Sequence, residues 1–290
     1  MTARRFVDLH THSNASDGAL EPAEVIRLAD QARLAAVALT DHDTIDGLAQ
    51  ARQAAAAYPD LRLVDGIEIS ANFPHATMHL LGLGIDLASP ALADMLRTLQ
   101  AARTERNPKI VARLAELGMK LEWEDVLAVA RPGPDEGRIV GRLHIAEALR
   151  RRGYVSDTQQ AFDRWIGVDR PAYVDKERLS PAEAIRGIRQ AGGLAILAHP
   201  VHLQCANRLQ LERVVRELMP HGLEGIEVYH SDHSDVQTRI YLDLARKLGL
   251  EVSGGSDFHG AAKPGVRLGN PRVPVAALGE AMRRIAGLEN

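Results

Sequence analysis

Two histidines stand at the end of a short apolar run near the start of the chain. In the segment FVDLHTHSNASDG, at positions 6–18, His10 and His12 follow the apolar residues of FVDL. Alternate residues of a β-strand point to the same face, so the two imidazoles should point together. In barrel enzymes the sites lie at the carboxyl ends of the strands. The pair therefore predicts one edge of a ligand site at the end of a first strand.

Imidazole and carboxylate side chains also follow nearly every other apolar run. They are Asp41, His42, Asp43, Glu68, His79, His199, His230, His233, Asp257 and His259. The chain has 12 histidines, and chance placement does not explain why so many of them fall at strand ends. Carboxylates crowded in this way repel one another unless cations lie between them. Nitrogen and oxygen ligands without a thiolate suit Zn²⁺, Mn²⁺ or Fe²⁺, and the number of candidates indicates two or three ions.

Apolar runs alternate with helical patterns along most of the chain. The runs are RFVDLH, AAVALTDHD, LRLVDGIEIS, MHLLGLGID, GLAILAHP, GIEVYHSDH and LEVSGGSDFHG. Such alternation is typical of a parallel sheet with covering helices, and about seven units indicate a barrel. The stretch 89–165 breaks the rhythm because it reads as helix after helix, with a turn-rich segment at 131–138. We therefore expect a barrel formed by 1–88 and 166–290 and a helical insertion domain over 89–165.

The composition narrows the class of protein further. Because Cys205 is the single cysteine, a disulfide framework within the chain is excluded and a reducing compartment is favoured. A formal net charge of −3 argues against a broadly basic surface for nucleic acid. The first residues lack the apolar stretch of a signal peptide, and no apolar run has the length that spans a bilayer. We expect a cytoplasmic protein without a membrane anchor, and no feature indicates a protein partner.

Six short segments carry a resemblance to a known family. The segments DLHTHSNASDG, LTDHD, GIEIS, HLLG, AHP and SDFHG resemble, as a set, the motifs of the PHP (polymerase and histidinol phosphatase) family. They extend from Asp8 to Gly260, whereas the HxH pair alone is a weak signal because amidohydrolases share it. The segments GRLHIAEALRRRGYV and RPAYV resemble the subgroup of TrpH-like proteins and 3′,5′-nucleotide bisphosphate phosphatases. The resemblance implies an α/β fold, a distorted (β/α)7 barrel, with a trinuclear metal centre.

The resemblance also implies ligands for three metal ions. The implied sets are His10, His12, Glu68 and Asp257 for the first ion, Glu68, His79 and His199 for the second, and Asp17, His42 and His259 for the third. Some family members carry histidine at the position of Asp17, and a carboxylate there favours Mn²⁺ over Zn²⁺. Pro200 is expected to keep His199 extended at the end of its strand, because a residue before proline avoids the helical region.

The expected reaction is the hydrolysis of a phosphate ester. A hydroxide that bridges two ions would attack phosphorus in line, without a covalent enzyme intermediate. His202 or His230 would protonate the leaving ribose oxygen, and both are equally suited to donate hydrogen bonds to phosphate. Asp41 and Asp43 are candidates to orient the ligand histidines. The candidates for contact with the substrate phosphates are Ser13, Asn14, Arg142, His144 and Lys176.

Two activities compete as the function. The leading prediction is removal of the 3′-phosphate from a 3′,5′-bisphosphonucleotide, such as pAp to AMP, and this substrate rests on the resemblance alone. The alternative is a 5′→3′ exonuclease that trims short RNA or DNA with the same metal centre. Histidinol phosphate hydrolysis is a third enzymatic option. A non-catalytic PHP module is disfavoured because every implied ligand position is filled, and structural metal sites are usually closed and rich in thiolate.

Overall fold

The structure is a computed structural model that describes residues 4–74, 76–130, 140–167, 169–174 and 179–289, apart from the side chain at 77. These residues divide into two compact units, one of 1–95 with 179–290 and the other of 96–178. The first unit contains the strands, and the second is helical over its described residues. No helix in the described part of the chain is long and apolar enough to cross a bilayer.

The first unit is built around an eight-stranded sheet. Its strands are β1 (Phe6–Asp8), β2 (Ala36–Leu39), β3 (Arg62–Phe73), β4 (Ala76–Leu83), β5 (Leu194–Leu197), β6 (Leu223–Tyr229), β7 (Glu251–Gly254) and β8 (Val273–Pro274). Neighbours follow the order β7-β6-β5-β4-β3-β2-β1-β8. Strands β1, β2 and β3 run parallel, as do β5, β6 and β7, whereas β4 opposes both of its neighbours and β8 opposes β1. The predicted α/β barrel is confirmed, with a reversed strand in place of a uniform repeat.

The reversed strand follows from the length of its connection. Only positions 74 and 75 separate the end of β3 at Phe73 from the start of β4 at Ala76. A parallel crossover needs about a dozen residues or more, so this connection permits only an antiparallel pair. The register pairs Ser70 with His79, which brings the first half of β4 to the end of the barrel where β1 and β2 finish.

Backbone hydrogen bonds close the sheet between its first and seventh strands. Leu9 N donates to Gly254 O at 3.1 Å, and Asp257 N donates to His10 O at 2.9 Å. The two segments approach so closely that a Cβ on Gly255 would lie 2.4 Å from the backbone nitrogen of His10. A side chain at this position would therefore force the segments apart. The closure places the residues after β1 beside the residues after β7.

Ten α-helices accompany the strands in the described residues. They are α1 (Pro22–Gln31), α2 (Leu48–Ala55), α3 (Pro90–Glu116), α4 (Trp123–Ala130), α5 (Arg142–Arg151), α6 (Thr158–Ala161), α7 (Pro181–Gln190), α8 (Arg208–Leu218), α9 (Asp235–Leu248) and α10 (Glu280–Ile285). Val37 and Leu39 of β2 pack in an apolar cluster with α1 and α2, whereas Ala36 and Ala38 pack with β1, β4 and β5. Alternate residues thus face opposite sides, as a strand that is buried on both faces requires.

The second unit has an apolar core of its own. Val126 of α4 and Ile145 and Leu149 of α5 are fully buried, and they cluster with Ile110 from the later part of α3. A π-helical turn over Phe162–Ile166 continues α6 and adds to the same cluster. This core is separate from the clusters that surround the sheet of the first unit.

Candidate metal centre

The nine predicted metal ligands lie together at one end of the barrel unit. They are His10, His12 and Asp17 after β1, His42 after β2, Glu68 in β3, His79 in β4, His199 after β5, and Asp257 and His259 after β7. Short distances between their nitrogen and oxygen atoms join them into overlapping groups. The predicted placement at a carboxyl end is wrong for His79, which lies in the first half of its strand. It still reaches the cluster because β4 runs antiparallel to β3.

Glu68 is at the centre of the cluster, and its side chain is 1% exposed. Its two oxygens face different histidines. The imidazole nitrogens nearest to Oε1 are His79 Nδ1 at 2.9 Å and His199 Nε2 at 3.0 Å, and those nearest to Oε2 are His42 Nδ1 at 3.1 Å, His12 Nε2 at 3.2 Å and His10 Nε2 at 3.3 Å. One carboxylate thus borders two sets of nitrogen ligands, which is the arrangement of a bridging ligand.

Asp257 completes a first group with Glu68 and the histidine pair. Its Oδ1 atom lies 3.2 Å from His12 Nε2 and 3.4 Å from His10 Nε2. The ligand atoms of these four residues all lie within 4.8 Å of one another. Asp257 has a φ of 56°, a region that residues other than glycine rarely adopt. Strained backbone of this kind concentrates at functional sites.

A further group surrounds Asp17. Its Oδ1 atom is 3.2 Å from His259 Nε2 and 3.7 Å from His12 Nδ1, and its Oδ2 atom is 3.7 Å from His42 Nε2. His12 therefore faces Asp17 with one ring nitrogen and the Glu68–Asp257 group with the other. The group contains the three residues predicted for a third ion and His12 in addition.

The donor set fits divalent cations. His10 Nε2, both ring nitrogens of His12, and His42 Nδ1 are buried atoms without a hydrogen-bond partner. Two ligands that each lie about 2.1 Å from one cation are separated by about 3.0–3.4 Å in octahedral or tetrahedral geometry. The nitrogen–oxygen distances around Glu68 and Asp257, 2.9–3.4 Å, match that separation. Buried nitrogens that lack a partner would gain one from a cation.

Charged neighbours and burial shift the pKa values of the cluster in opposite directions. Burial opposes the charge of His12, but the nearby carboxylates of Asp257, Glu68 and Asp17 raise its pKa to about 10. Burial lowers the pKa of His42 to about 4 and that of His199 to about 3. Burial also works against ionisation of Glu68, yet the surrounding histidines hold its pKa well below the usual range. The carboxylates are therefore ionised, and a cation that binds beside His12 would displace a proton from its ring.

Glu227 contacts two of these ligands from the protein interior, and the sequence analysis did not select it. Its fully buried side chain on β6 places its oxygens 3.1 and 3.3 Å from His10 Nδ1, and Oε2 accepts a hydrogen bond from the backbone N–H of His199 at 2.7 Å. Burial would raise the pKa of Glu227, but His10 and His230 lower it to about 2. The signal available in the sequence was a glutamate between Ile226 and Val228 in an otherwise buried strand.

His199 has an unusual backbone conformation, with φ 23° and ψ 70°. The prediction that Pro200 keeps this residue extended is therefore wrong. The backbone N–H is bound to Glu227, while the ring Nε2 lies 3.0 Å from Glu68 Oε1. Contacts on both sides of His199 thus hold a conformation that costs about 1–3 kcal/mol.

Comparisons with known proteins agree with this geometry. The family model described as "PHP domain" matches residues 8–166. A 3′,5′-nucleoside bisphosphate phosphatase from Chromobacterium violaceum is 36% identical over 264 residues, which cover 91% of this chain and 90% of that protein. The chain belongs to the PHP family. A relative from Haemophilus influenzae, a 5′-3′ exoribonuclease, is 33% identical and covers 87% of this chain and 89% of that protein. A solved structure from Bifidobacterium adolescentis, described as a metal-dependent phosphoesterase, has a TM-score of 0.85 at 30% identity and covers 98% of this chain and 96% of that one.

The first PHP motif continues into a loop that Asp41 holds in place. Asp41 accepts hydrogen bonds from Ser13 N at 2.8 Å, Ser13 Oγ at 2.7 Å and Ser16 Oγ at 2.6 Å. These bonds support the loop that carries His12 and Asp17. None of the three joins Asp41 to an imidazole, so they do not support the prediction that Asp41 orients a ligand histidine. Ser13 is buried and its hydroxyl is bound to Asp41, which favours a structural role over contact with phosphate.

Asn14 and Asp43 lie on either side of the same end of the barrel. The amide nitrogen of the Asn14 side chain donates to Glu21, and Asn14 Oδ1 is a buried oxygen without a hydrogen-bond partner. Asp43 accepts a hydrogen bond from Ser70 N at 2.9 Å, and its own N–H donates to Glu68 O at 2.9 Å. Asp43 therefore ties the end of β2 to the strand that carries Glu68.

His230 and His202, the predicted proton donors, occupy different environments. His230 is buried, and its Nδ1 atom accepts a hydrogen bond from Asp232 N at 3.0 Å. The neutral ring therefore carries its proton on Nε2, which points toward Asp257 Oδ2 at 3.6 Å. This tautomer suits a hydrogen-bond donor and is unsuited to metal ligation through Nε2. The side chain of His202 is 44% exposed, and its Nε2 lies 3.1 Å from Asp232 Oδ2.

Lys263 lies at the same edge of the candidate metal centre as His202 and His230, and no sequence pattern indicated it. Its Nζ atom lies 3.0 Å from Asp257 Oδ2 and 3.1 Å from Asp232 Oδ2. Asp232 Oδ2 thus contacts both Lys263 and His202. The pKa of Asp232 is lowered, chiefly by its hydrogen bond with His202. These residues form a charged row that leads from a metal-ligand candidate toward solvent. Lys263 lies beyond the SDFHG motif in the sequence, and the fold of this segment returns its side chain to Asp257.

The predicted phosphate contacts Arg142 and His144 lie on α5 in the second unit. Arg142 Nη1 donates to Ile166 O at 3.2 Å, and its guanidinium lies over the rings of Phe162 and Tyr173 at 5.6 and 5.7 Å. His144 Nδ1 accepts from Gly141 N at 2.9 Å and caps the helix. These contacts give both residues a structural role within the unit. Lys176, the last predicted contact, lies outside the described residues.

Proposed function

We propose that this chain is a metal-dependent phosphatase that removes the 3′-phosphate from 3′,5′-bisphosphonucleotides, converting pAp to AMP. The observation that carries the proposal is the set of buried imidazole nitrogens without partners around the carboxylates of Glu68 and Asp257. Such a donor set belongs to a phosphoesterase centre with divalent ions. The 36% identity to the phosphatase from Chromobacterium violaceum supports the choice of substrate class.

The proposed ligand sets are those that the family resemblance implies, and the short distances around Glu68 and Asp17 support them. They are His10, His12, Glu68 and Asp257 for one ion, Glu68, His79 and His199 for a second, and Asp17, His42 and His259, with His12 nearby, for a third. Mn²⁺ is the proposed ion, with Zn²⁺ or Fe²⁺ as alternatives, because Asp17 adds a hard oxygen ligand. We also propose a cytoplasmic location, which the single cysteine of the chain supports.

When bound, divalent ions at these positions would lower the pKa of water and neutralise charge on the phosphoryl group. Residues of the chain contribute the positioning and the protons. Glu68 holds two sets of ligands at a fixed separation through its two oxygens. The Nε2–H of His230 and the imidazole of His202, anchored by Asp232, are the proposed donors to the phosphate or to its leaving oxygen.

A second candidate function is 5′→3′ exonucleolytic trimming of short RNA or DNA. The observation in its favour is the relative from Haemophilus influenzae, an exoribonuclease that is 33% identical over 87% of this chain. Both activities break a bond between phosphorus and a ribose oxygen, so the same ligand cluster serves either. In both reactions the leaving group is a 5′-nucleotide, and they differ in what the attacked phosphorus carries, which is the remainder of the chain in an oligonucleotide and no further group in pAp.

The test is a product assay with Mn²⁺-loaded protein on four substrates: pAp, 5′-AMP, histidinol phosphate and a short 5′-phosphorylated oligoribonucleotide. Release of phosphate and AMP from pAp far faster than turnover of the others supports the proposal. Degradation of the oligonucleotide to mononucleotides, with slow turnover of pAp, would make the exonuclease the function. Asp257→Asn protein, prepared in parallel, reports any contaminating phosphatase or nuclease.

A further inference from the structure

Glu227 lies behind the metal centre and touches two of the proposed ligands with one carboxylate. We propose that Glu227 is a positioning residue that couples two metal positions, by fixing the ring of His10 for one ion and the backbone of His199 for another. The proposal rests on the ligand sets of the proposed function. It adds a residue that holds no ion itself and determines how well two ions are held.

Glu227 contacts the side of the His10 ring that faces away from the metal centre. The ring's Nε2 atom faces the carboxylates, at 3.3 Å from Glu68 Oε2 and 3.4 Å from Asp257 Oδ1. Its Nδ1 atom faces away from them, at 3.1 Å from Glu227 Oε1. A proton on Nδ1 that is donated to Glu227 leaves the lone pair of Nε2 directed into the centre. Glu227 therefore selects the tautomer that binds a cation.

Glu227 also contacts the backbone of His199. The φ of 23° at His199 lies where residues with a Cβ are strained, so contacts must hold the conformation. The backbone N–H of His199 donates to Glu227 Oε2 at 2.7 Å, between two buried groups. Release of this bond would let the residue relax, and the ring would move away from its place beside Glu68 Oε1.

A direct role of Glu227 as a ligand is disfavoured by its contacts. Atoms of His10, Glu227 and His230 do lie close enough to hold an ion. However, Glu227 already accepts hydrogen bonds from His10 Nδ1 and His199 N. The Nδ1 atom of His230 is occupied by the N–H of Asp232, so its Nε2 carries the proton in the neutral ring. Glu227 and His10 Nδ1 are thus committed to protein partners, and the neutral ring of His230 presents an N–H group in place of a lone pair.

The proposal depends on one feature of a carboxylate, which accepts at both oxygens. A glutamine of the same shape has one accepting oxygen and presents an N–H₂ group in place of the other. In Glu227→Gln, one of the two donors, the imidazole N–H or the backbone N–H, meets another donor. The amide can satisfy only one of the two donors, and it also removes the negative charge that both of them face, so both ions should bind more weakly.

The experiment measures Mn²⁺ binding without any substrate. Isothermal titration gives the affinities, and elemental analysis after dialysis gives the number of ions retained. For Glu227→Gln we expect two ions to bind about 10–100-fold more weakly than in the wild-type protein, as for other partners of ligand histidines. The unpartnered buried donor should lower the melting temperature of the metal-free variant below that of the metal-free wild type, and the further stabilisation by Mn²⁺ should shrink as well.

A matched control is Glu251→Gln. Glu251 begins β7 at the opposite end of that strand from the metal centre and faces the backbone N–H groups of Ala281 and Met282 at 3.3 Å. It should change stability slightly and leave the Mn²⁺ affinities as they are. If Glu227→Gln does not fold, Glu227→Asp provides the same test, because the shorter carboxylate cannot reach both donors.

The outcomes separate this inference from the proposed function. Unchanged Mn²⁺ affinities in the Glu227 variants, or weakening of one ion alone, would overturn the coupling role. Wild-type protein that binds ions but does not hydrolyse pAp would remove the proposed substrate and leave the coupling intact. Wild-type protein that binds no divalent ion would overturn both.

Discussion

Among the described residues, buried imidazole nitrogens without a hydrogen-bond partner cluster in the barrel unit, whereas the helical unit has one such side-chain atom, Trp165 Nε1. At the metal centre, ring nitrogens of His10, His12 and His42 are buried without a hydrogen-bond partner. In the helical unit, the buried Arg106 donates to Asn107 Oδ1 at 2.8 Å. Ion pairs of that unit, such as Arg152 with Asp125 at 2.5 Å, lie on the surface. A buried group with a partner stabilises the fold, whereas a cluster of buried groups without partners is arranged for something that binds.

The strongest way to test this contrast is Asp257→Asn. The amide keeps the size of the side chain but lacks the negative charge that attracts a cation to the position beside His10 and His12. We expect turnover to fall by about 10³-fold or more, together with loss of at least one Mn²⁺ ion. The measurement pairs phosphate release from pAp with elemental analysis. A fully active variant would contradict the assignment of Asp257 as a ligand.

The matching change in the helical unit is Leu149→Ala. Leu149 is fully buried in the core of that unit. Removal of the side chain should cost about 2–5 kcal/mol of unfolding free energy because it leaves a cavity. The number of Mn²⁺ ions bound by the folded variant should not change. Denaturant unfolding gives the first quantity and elemental analysis the second, and a loss of ions would show that the two units are not independent in this respect.

The pH dependence of the metal-free protein should reveal the charge of the cluster. The pKa of His12 is raised to about 10 by its carboxylate neighbours, above its ordinary value near 6.5. A group raised in this way stabilises the fold fully below about pH 6.5, and the contribution is lost as the pH rises to about 10. The melting temperature of the metal-free protein should therefore fall by roughly a few degrees over this range.

Mn²⁺-loaded protein is the control for that pH series. Its stabilisation by the metal should grow as the pH rises from 6.5, because cations compete with protons for the imidazoles. If the melting temperatures of the two forms change with pH in the same way, the role assigned to the raised pKa of His12 is contradicted. His12→Asn should flatten the metal-free curve.

The smallest effect is expected from Asp232→Asn. Asp232 is partly exposed and contacts His202 and Lys263. Its loss should lower kcat/KM for pAp by about 10-fold through misplacement of the side chains of His202 and Lys263, with a change in stability below about 1 kcal/mol. Asp243→Asn on α9, where Asp243 pairs with Arg246 in solvent, is the matched control. An equal effect of both variants would place Asp232 outside the reaction.

The position of most proposed ligands could be predicted from the sequence because parallel strands end at one edge of a barrel. His10, His42 and Asp257 each follow an apolar run, and the fold brings them together. His79 departs from that rule because a two-residue connection reverses its strand. The backbone of His199 was beyond prediction, since its conformation depends on a bond to Glu227 from a neighbouring strand.

Residues that act through space were the ones missed. In the sequence, Glu227 looks like an ordinary residue inside a buried strand. Its contact with His10 becomes apparent only when β6 pairs with β5 and lies near the end of β1. Lys263 sits in a loop without a motif of its own, and its contacts with Asp232 and Asp257 depend on the folded loop. Conversely, Ser13 looked like a phosphate contact, and its hydroxyl is bound to Asp41.

The hydrogen bond that closes the barrel, from Leu9 N to Gly254 O, bears on when the candidate ligands come together during synthesis of the chain. It joins the beginning of the chain to a point near its end, and contacts between such distant positions carry the largest loop-closure cost. A nascent polypeptide that emerges from the ribosome holds His10, His12 and His42 long before Asp257 and His259 exist. The complete set of proposed ligands can therefore come together only after the residues that follow β7 have been synthesised and have packed beside the end of β1.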